Sequence, residues 1–183
     1  MKYFLWLSLP LYILDQVTKF FIVKNFRDPE LLGYTDTVPV IEGFFNLVRV
    51  HNKGMAFGML NGTAYANLLF GAIAITALTF IVLLWRKNTF PDKLSKTAAA
   101  LLVSGILGNF TDRILPGRGY VVDFLDFKLP FYELIAKGSG GHFPSFNVAD
   151  SCICIAAALL FIVAFRKPKE DGDEKPKKDK TAA

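Results

Sequence analysis

The sequence has few of the side chains on which many catalytic sites depend. Its 183 residues include two histidines, His51 and His142, and two cysteines, Cys152 and Cys154. Neither histidine lies in a nucleophile motif, and no group of residues has metal-ligand spacing, so no metal is expected. The two cysteines lie two residues apart in an apolar run and face different sides of a helix. This spacing predicts buried, inert thiols and no mutual disulfide, and Cys152 has no activating neighbour.

The sequence also lacks a basic surface of the kind that binds nucleic acid. The net charge is +5, but seven of the 21 lysines and arginines follow Phe165. This uneven placement favours a role in membrane topology and in attraction to anionic lipid. No nucleic-acid partner is therefore expected.

What the sequence does have is apolar length. Its hydrophobic fraction is 52%, its mean hydropathy is +0.36 and it contains 18 phenylalanines. Soluble domains rarely have a clearly positive hydropathy. Four runs approach the roughly 20 residues that cross a bilayer core. They are residues 3–23, 64–85, 97–115 and 148–165.

The first run also resembles a secretory signal. It has no small-x-small cleavage site, and Asp15 and Lys19 would interrupt a signal core, which favours a retained span. Asp15 and Lys19, four residues apart, either neutralise each other as a structural pair or help to orient a site. In the third run Ala100, Ser104 and Gly108 form a stripe of small residues that lets helices approach closely.

The segment of residues 25–63 predicts a small β-sheet outside the membrane. Residues 37–41 and 44–50 are rich in β-branched and aromatic side chains, with Glu42 and Gly43 as a two-residue hairpin turn. The fold class is therefore an α-helical integral membrane protein with four transmembrane helices, a small extracytoplasmic sheet and a covering loop.

Basic residues predict the orientation of the chain. The loop of residues 86–96 and the tail after Phe165 are rich in lysine and arginine, which places both on the cytoplasmic side. Both termini are then cytoplasmic, and residues 25–63 and the connector of residues 116–147 lie outside. Residues 1–166 form one membrane domain, and the charged tail of residues 167–183 is expected to be disordered.

Polar residues gather at the outer ends of the last two spans and between them. They are Asn109, Asp112, Arg113, Asp123, Asn147 and Asp150. Ionisable groups at a membrane are costly, so they usually face a cavity and partner one another. Two neighbouring carboxyl groups can share one proton. The ionised one can then take a proton from water while the protonated one polarises a scissile carbonyl.

Structural alternatives account for some of these residues singly. Asn147 can cap the fourth span with Asp150 at its third position. Asp112 and Arg113 can form an interfacial charge pair.

Five motifs together resemble the lipoprotein signal peptidases, the type II signal peptidases of bacteria. They are DQVTK from Asp15, NKGMAF from Asn52, GNFTDR from Gly108, VDF from Val122 and FNVADS from Phe146. The resemblance runs in order from the first span to the fourth.

The resemblance implies a cofactor-free aspartyl endopeptidase of the bacterial cytoplasmic membrane, with its active site at the outer face. Such enzymes cut prolipoproteins just before a cysteine that carries a diacylglyceryl group. The implied partners are prolipoproteins and membrane lipids, and the chain is expected to be a monomer. The implied catalytic pair is Asp123 and Asp150. The implied binding or supporting residues are Asn52, Gly54, Asn109, Asp112, Arg113, Asn147, Asp15 and Lys19.

Three features depart from the family, and one of them is the charged tail of residues 167–183, which is longer than the family needs. Met55 stands where a smaller residue is expected, beside Gly54 and Gly58, which would let a covering loop bend. The connector between the two aspartates, residues 124–149, is longer than usual and includes the flexible run of residues 138–141.

Two other hypotheses remain open. The first is a proton or ion transporter with Asp112, Asp123 and Asp150 as a relay. A relay needs polar groups through the depth of the bilayer, whereas these cluster at one face and the second span supplies none. The second is a non-enzymatic scaffold whose charges are caps and anchors.

Overall fold

The structure is a computed structural model that describes residues 2–54 and 64–166. Met55, Gly58 and the tail of residues 167–183 lie outside the described residues. The helices are a π-helical turn Phe4–Ser8, α1 Leu9–Asn25, α2 Pro29–Leu32, α3 Ala64–Arg86, α4 Lys93–Ile114, α5 Tyr132–Ile135 and α6 Val148–Phe165. The strands are β1 Thr37–Ile41, β2 Phe45–Asn52 and β3 Val121–Phe127.

The prediction of a mostly helical membrane protein with a small sheet is confirmed. Within the described residues, three helical segments are long and apolar enough to cross a membrane: the first helix with its π-helical turn, α3 and α6. The helix α4 has 22 residues but is not among them. It packs against α1, α3 and α6. Because neighbouring helices cover much of its surface, α4 does not need a lipid-facing apolar surface all round.

Small residues let the helices meet closely at α4. Ala100, Ser104 and Gly108 are all buried, as the stripe in the sequence predicts. A side chain at Gly108 would place its Cβ 2.6 Å from the Asp15 carboxylate and 2.9 Å from the Cβ of Ala149. The positions of Asp15 in α1 and of the start of α6 therefore both depend on the absence of a side chain at Gly108.

The sheet has the order β1-β2-β3 and is antiparallel throughout. The predicted hairpin is present, with Gly43 at φ +73° and the Phe44 N–H donating to the Ile41 carbonyl at 3.0 Å. Phe44 closes this turn, so β2 begins one residue later than expected. The third strand was not expected, because the sequence analysis assigned β-strands to residues 25–63 and none to the connector.

The third strand joins the sheet to the helical bundle. Val122 and Phe124 of β3 pack with Ile22 of α1 in one buried cluster. We call this end of the bundle the sheet end. Farther along the connector, the Leu129 N–H donates to the Gly141 carbonyl at 2.7 Å. The connector thus returns to the end of β3 before it enters α6.

Of the two cysteines, only Cys152 is buried, while Cys154 is exposed on α6, and both are free thiols. The prediction of a buried thiol was therefore wrong for Cys154. An exposed position on an apolar helix faces lipid and does not require burial within the protein.

Candidate active site

Asp123 lies near the start of β3 and is 3% exposed. Its Oδ2 accepts a hydrogen bond from Asn52 Nδ2 at 2.9 Å, and its Oδ1 accepts one from Asn147 Nδ2 at 2.7 Å. Burial is the main cause that raises the pKa of Asp123 to about 7, and the nearby Asp150 carboxylate adds to it. A group with this pKa can hold or release a proton near neutral pH.

Asp150 lies in the first turn of α6, which Asn147 caps. The Asp150 N–H donates to Asn147 Oδ1 at 2.9 Å, and the Asn147 N–H donates to Asp150 Oδ2 at 3.2 Å. The structural alternative for these two residues is therefore present as a capping box. The capping box does not account for all the contacts of Asn147, because its side chain also donates to Asp123.

Two asparagine amides link the two carboxylates. Asn109 Nδ2 donates to Asp150 Oδ1 at 2.7 Å, and Asn147 Nδ2 lies 3.1 Å from Asn109 Oδ1. Each amide nitrogen donates to one of the two carboxylates, and the two amides contact each other. The separation and orientation of Asp123 and Asp150 are thus fixed by neutral donors.

Lys19 lies fully buried beneath these amides. Its Nζ lies 2.9 Å from Asp15 Oδ2, 3.0 Å from Asp112 Oδ2 and 3.0 Å from Asn109 Oδ1. The Asp15–Lys19 pair is therefore present, and it is part of a larger group. Because Lys19 donates to the oxygen of the Asn109 amide, the amide nitrogen is directed towards Asp150.

Asp112 supports the strand that carries Asp123. Its Oδ2 accepts a hydrogen bond from the Val122 N–H at 3.2 Å, and its Oδ1 lies 2.6 Å from an Arg118 nitrogen. In the described part of the chain its cationic partners are Lys19 and Arg118. The expected charge pair with Arg113 is therefore absent there.

Arg113 contacts residues of α3. It donates to Asn67 Oδ1 at 3.2 Å, and its guanidinium lies 4.2 Å from the centre of the Phe70 ring. Asn67 in turn donates to the Gly119 carbonyl at 2.7 Å. Sequence reasoning missed Asn67, although one amide near the start of the uncharged second run was a usable signal.

Gly54 needs to be a glycine for two reasons. Its φ is +86°, and a side chain would collide with the ring of Phe70. Its N–H donates to Asn52 Oδ1 at 2.9 Å. This bond holds the oxygen of the Asn52 amide, so that the nitrogen is directed towards Asp123.

A cavity of about 260 Å³ opens beside Asp150, between α3, α4 and α6. Its polar lining is Asn52, Asn109, Arg113 and Asp150. Its apolar lining is Phe70, Ile73, Ala74, Ala77, Ile106, Phe110, Val121 and Ile153. Such a cleft can hold a polar group against the aspartates and an apolar chain against the helices. No group of three or more His, Cys, Asp or Glu within residues 2–54 and 64–166 could hold a metal ion.

Comparison with known proteins finds a consistent set of relatives. The model of the signal peptidase (SPase) II family matches residues 7–166. A lipoprotein signal peptidase of Haemophilus influenzae is 35% identical over 173 residues, covering 94% of this chain and 91% of the relative. A lipoprotein signal peptidase of Bacillus pumilus is 40% identical over 149 residues, covering 81% of this chain and 83% of the relative.

A solved structure has the same fold. It is described as a bacterial membrane enzyme determined by the in meso method at 2.3 Å resolution. The TM-score is 0.74 at 31% identity, and the match covers 94% of each chain.

Proposed function

Because this chain belongs to the signal peptidase II family and is a multi-pass membrane protein, we propose that it is an aspartyl endopeptidase of prolipoproteins. It removes the signal peptide from diacylglyceryl-modified precursors by cutting before the lipidated cysteine. The observation that carries this proposal is the pair Asp123 and Asp150, linked through Asn147 and Asn109 beside a cleft. The names of the relatives support the choice of substrate.

The two aspartates have different roles in the proposed reaction. Asp123 holds the shared proton near neutral pH, because burial beside Asp150 raises its pKa to about 7. Asp150 acts as the general base and takes a proton from water, whose oxygen attacks the scissile carbonyl carbon. Asp123 donates its proton to the carbonyl oxygen. When the C–N bond breaks, Asp150 gives its proton to the leaving nitrogen and the hydroxyl proton returns to Asp123.

The surrounding amides stabilise this arrangement without charge. Asn52 and Asn147 each donate to one oxygen of Asp123. Asn109 donates to Asp150 and is itself oriented by Lys19. Positioned donors of this kind avoid the cost of reorganising water during the reaction.

The cleft suits a substrate that has both a peptide and apolar parts. Its polar lining can receive the scissile peptide, while its apolar lining on α3, α4 and α6 can contact the signal segment or an acyl chain. Basic residues of the loop 86–96 support a cytoplasmic position for both termini. The sheet end then lies at the outer face of the bacterial cytoplasmic membrane, and the proposed state is a monomer in contact with lipid.

Burial favours this proposal over a transporter. The described buried charged residues lie at the sheet end, from Asp15 in α1 outwards. Farther from the sheet end the described buried polar residues are Ser8, Ser95 and Ser104. A proton relay across the bilayer would need titratable groups at that depth.

Substitution of the two aspartates tests the proposal. We expect Asp123→Asn and Asp150→Asn each to lower the cleavage rate by roughly a thousandfold or more, because each removes a carboxyl group that must give and take a proton in the reaction. The measurement is cleavage of a purified lipidated precursor by the purified full chain in detergent. Asp126→Asn is a matched control, because Asp126 lies on the same strand but pairs with Asn46 and His142.

Substrate modification gives the second arm of the experiment. Wild-type protein should cleave the lipidated precursor and leave the unlipidated one intact. Normal cleavage by either aspartate variant would remove that residue from the proposed pair. Cleavage of both precursors alike would contradict the requirement for the lipid.

A further inference from the structure

A second polar network lies on the face of β2 that points away from the cleft. Side chains alternate along a strand, so Asn52 points to Asp123 while Arg49 and His51 point to the opposite face. The side chains of Arg49 and His51 are 8% and 4% exposed. The proposed reaction uses neither of them.

Arg49 ties β2 to the end of α1. One guanidinium nitrogen donates to the Phe26 carbonyl at 2.9 Å and to the Val23 carbonyl at 3.3 Å. A second guanidinium nitrogen donates to Asp28 Oδ2 at 3.0 Å. Carbonyls at a helix C-terminus lack partners within the helix, so this arginine satisfies them and is itself held in place.

The contacts of His51 define one tautomer. Arg49 Nε donates to His51 Nε2 at 3.1 Å, and since a guanidinium nitrogen has no lone pair to accept with, Nε2 carries no proton. The proton is therefore on Nδ1, which lies 2.9 Å from Glu30 Oε1. The ring also stacks on Tyr120, with centroids 3.6 Å apart and an interplanar angle of 18°. His51 is thus neutral and held on three sides.

The contacts of His51 lie beside the strand pairing that brings Asn52 to Asp123. His51 directly precedes Asn52, and Tyr120 directly precedes Val121, which pairs with Asn52 across the sheet. The His51–Tyr120 stack therefore sets the end of β2 against the start of β3. Asn52 can donate to Asp123 only while these two strand ends keep their register.

We propose that neutral His51, held by Arg49 and stacked on Tyr120, is a positioning residue that keeps the Asn52 amide on Asp123. This inference rests on the catalytic role proposed for Asp123. It assigns to His51 a contribution to the rate of the chemical step and none to the binding of substrate.

The same network makes the reaction sensitive to acid. The charged or titratable groups around the ring are Asp28, Glu30, Arg49, Lys53 and Tyr120. The carboxylates favour the protonated ring, whereas burial, the largest influence, lowers the pKa of His51. A proton on Nε2 would face the N–H of Arg49, so protonation breaks that bond. We therefore expect the rate to fall at acidic pH as the strand end loosens.

Two substitutions of His51 separate its hydrogen bonds from its ring. The Gln side chain in His51→Gln can accept from Arg49 and donate to Glu30, and it does not titrate. It should keep the neutral-pH kcat within about twofold and lose the acid decline that His51 causes. His51→Phe keeps a ring against Tyr120 but makes neither bond, so kcat should fall by about tenfold with little change in KM.

The experiment measures kcat and KM of the purified full chain on a lipidated precursor between about pH 5 and pH 8. His142→Gln is the matched control, because it alters the other histidine, and it should keep the wild-type acid decline. An acid decline in His51→Gln like that of the wild type overturns the proposal. So does a wild-type kcat in a folded His51→Phe. If His51→Phe fails to fold, the pH profile of His51→Gln decides alone.

Failure of the inference is distinct from failure of the proposed function. If Asp123→Asn still cleaves, the proposed function is wrong whatever the His51 variants do. If Asp123→Asn is inactive and the His51 variants behave as wild type, only the role of His51 is wrong.

Discussion

The contribution of Asp123 to the stability of the folded protein depends on pH. Its pKa in the folded chain is about 7, against an ordinary value of 3.8. Between these values the folded state binds more protons than the unfolded state, so stability falls as pH rises. The stability that this group contributes is fully present below its ordinary pKa and is lost as pH rises through about 7. Above that pH the folded chain holds an ionised carboxylate in a buried place.

This linkage predicts how Asp123→Asn changes stability. An amide has no charge to bury, so the variant should unfold several degrees above wild type at about pH 8 and lose most of that advantage at about pH 5. Thermal unfolding of both proteins in the same detergent measures this. Asp36→Asn serves as the control, because the hydrogen bond from Arg27 lowers the pKa of the Asp36 carboxyl and its difference from wild type should be the same at both pH values. Equal differences at both pH values would contradict the raised pKa of Asp123.

At the scale of elements, α1 and α4 meet through a buried charge group. Lys19 of α1 contacts Asp15 of its own helix and Asp112 of α4. All three side chains are 0% exposed. A buried pair of this kind often adds little net stability, but removal of one partner leaves an uncompensated charge. The group therefore specifies how the helices meet more than it strengthens their contact.

Lys19→Met should consequently destabilise the protein and slow cleavage. Loss of the cation leaves the buried Asp15 carboxylate without a cationic partner in the described residues, whereas Asp112 keeps Arg118. An uncompensated buried charge of this kind costs about 3–5 kcal/mol. It also releases the oxygen of the Asn109 amide, so the donor to Asp150 loses its direction. Denaturant unfolding and cleavage rate are the two measurements. Lys24→Met, at an exposed position of the same helix, is the control. A variant as stable as this control would show that the aspartates do not need Lys19.

At the scale of the whole molecule, the long connector separates into three parts. Its first part is β3, and its last part returns along β3 through bridges at Leu125–Phe146 and Lys128–His142. Between these lies an excursion of residues 130–140. Because the Leu129 N–H bonds to the Gly141 carbonyl, the two ends of the excursion meet.

The excursion should therefore be dispensable for catalysis. Replacement of residues 130–140 by a two-residue Asn-Gly turn keeps the pairing on both sides, since closing a shorter loop costs little. We expect the cleavage rate to stay within about threefold of wild type. Cleavage of a lipidated precursor by the shortened chain measures this. A folded but inactive shortened chain would show that the excursion contacts the substrate.

Local patterns in the sequence determined the elements of this protein. The apolar runs predicted the positions of the long helices, since apolar length is read without knowledge of neighbours. The hairpin at Glu42 and Gly43 follows from turn chemistry, and the cap at Asn147 follows from the spacing to Asp150. The stripe from Ala100 to Gly108 predicted a close helix contact. All of these depend on residues near each other in the chain.

The tertiary structure alone decided which side chains meet. Asn52 reaches Asp123 across 71 positions of sequence, and a shift of one residue in the sheet would turn it away. The sequence grouped Asn109, Asp112 and Arg113 at the outer end of the third run but could not say that Arg113 would turn to α3. The reason is that spacing defines a face of an element, whereas packing decides what that face contacts.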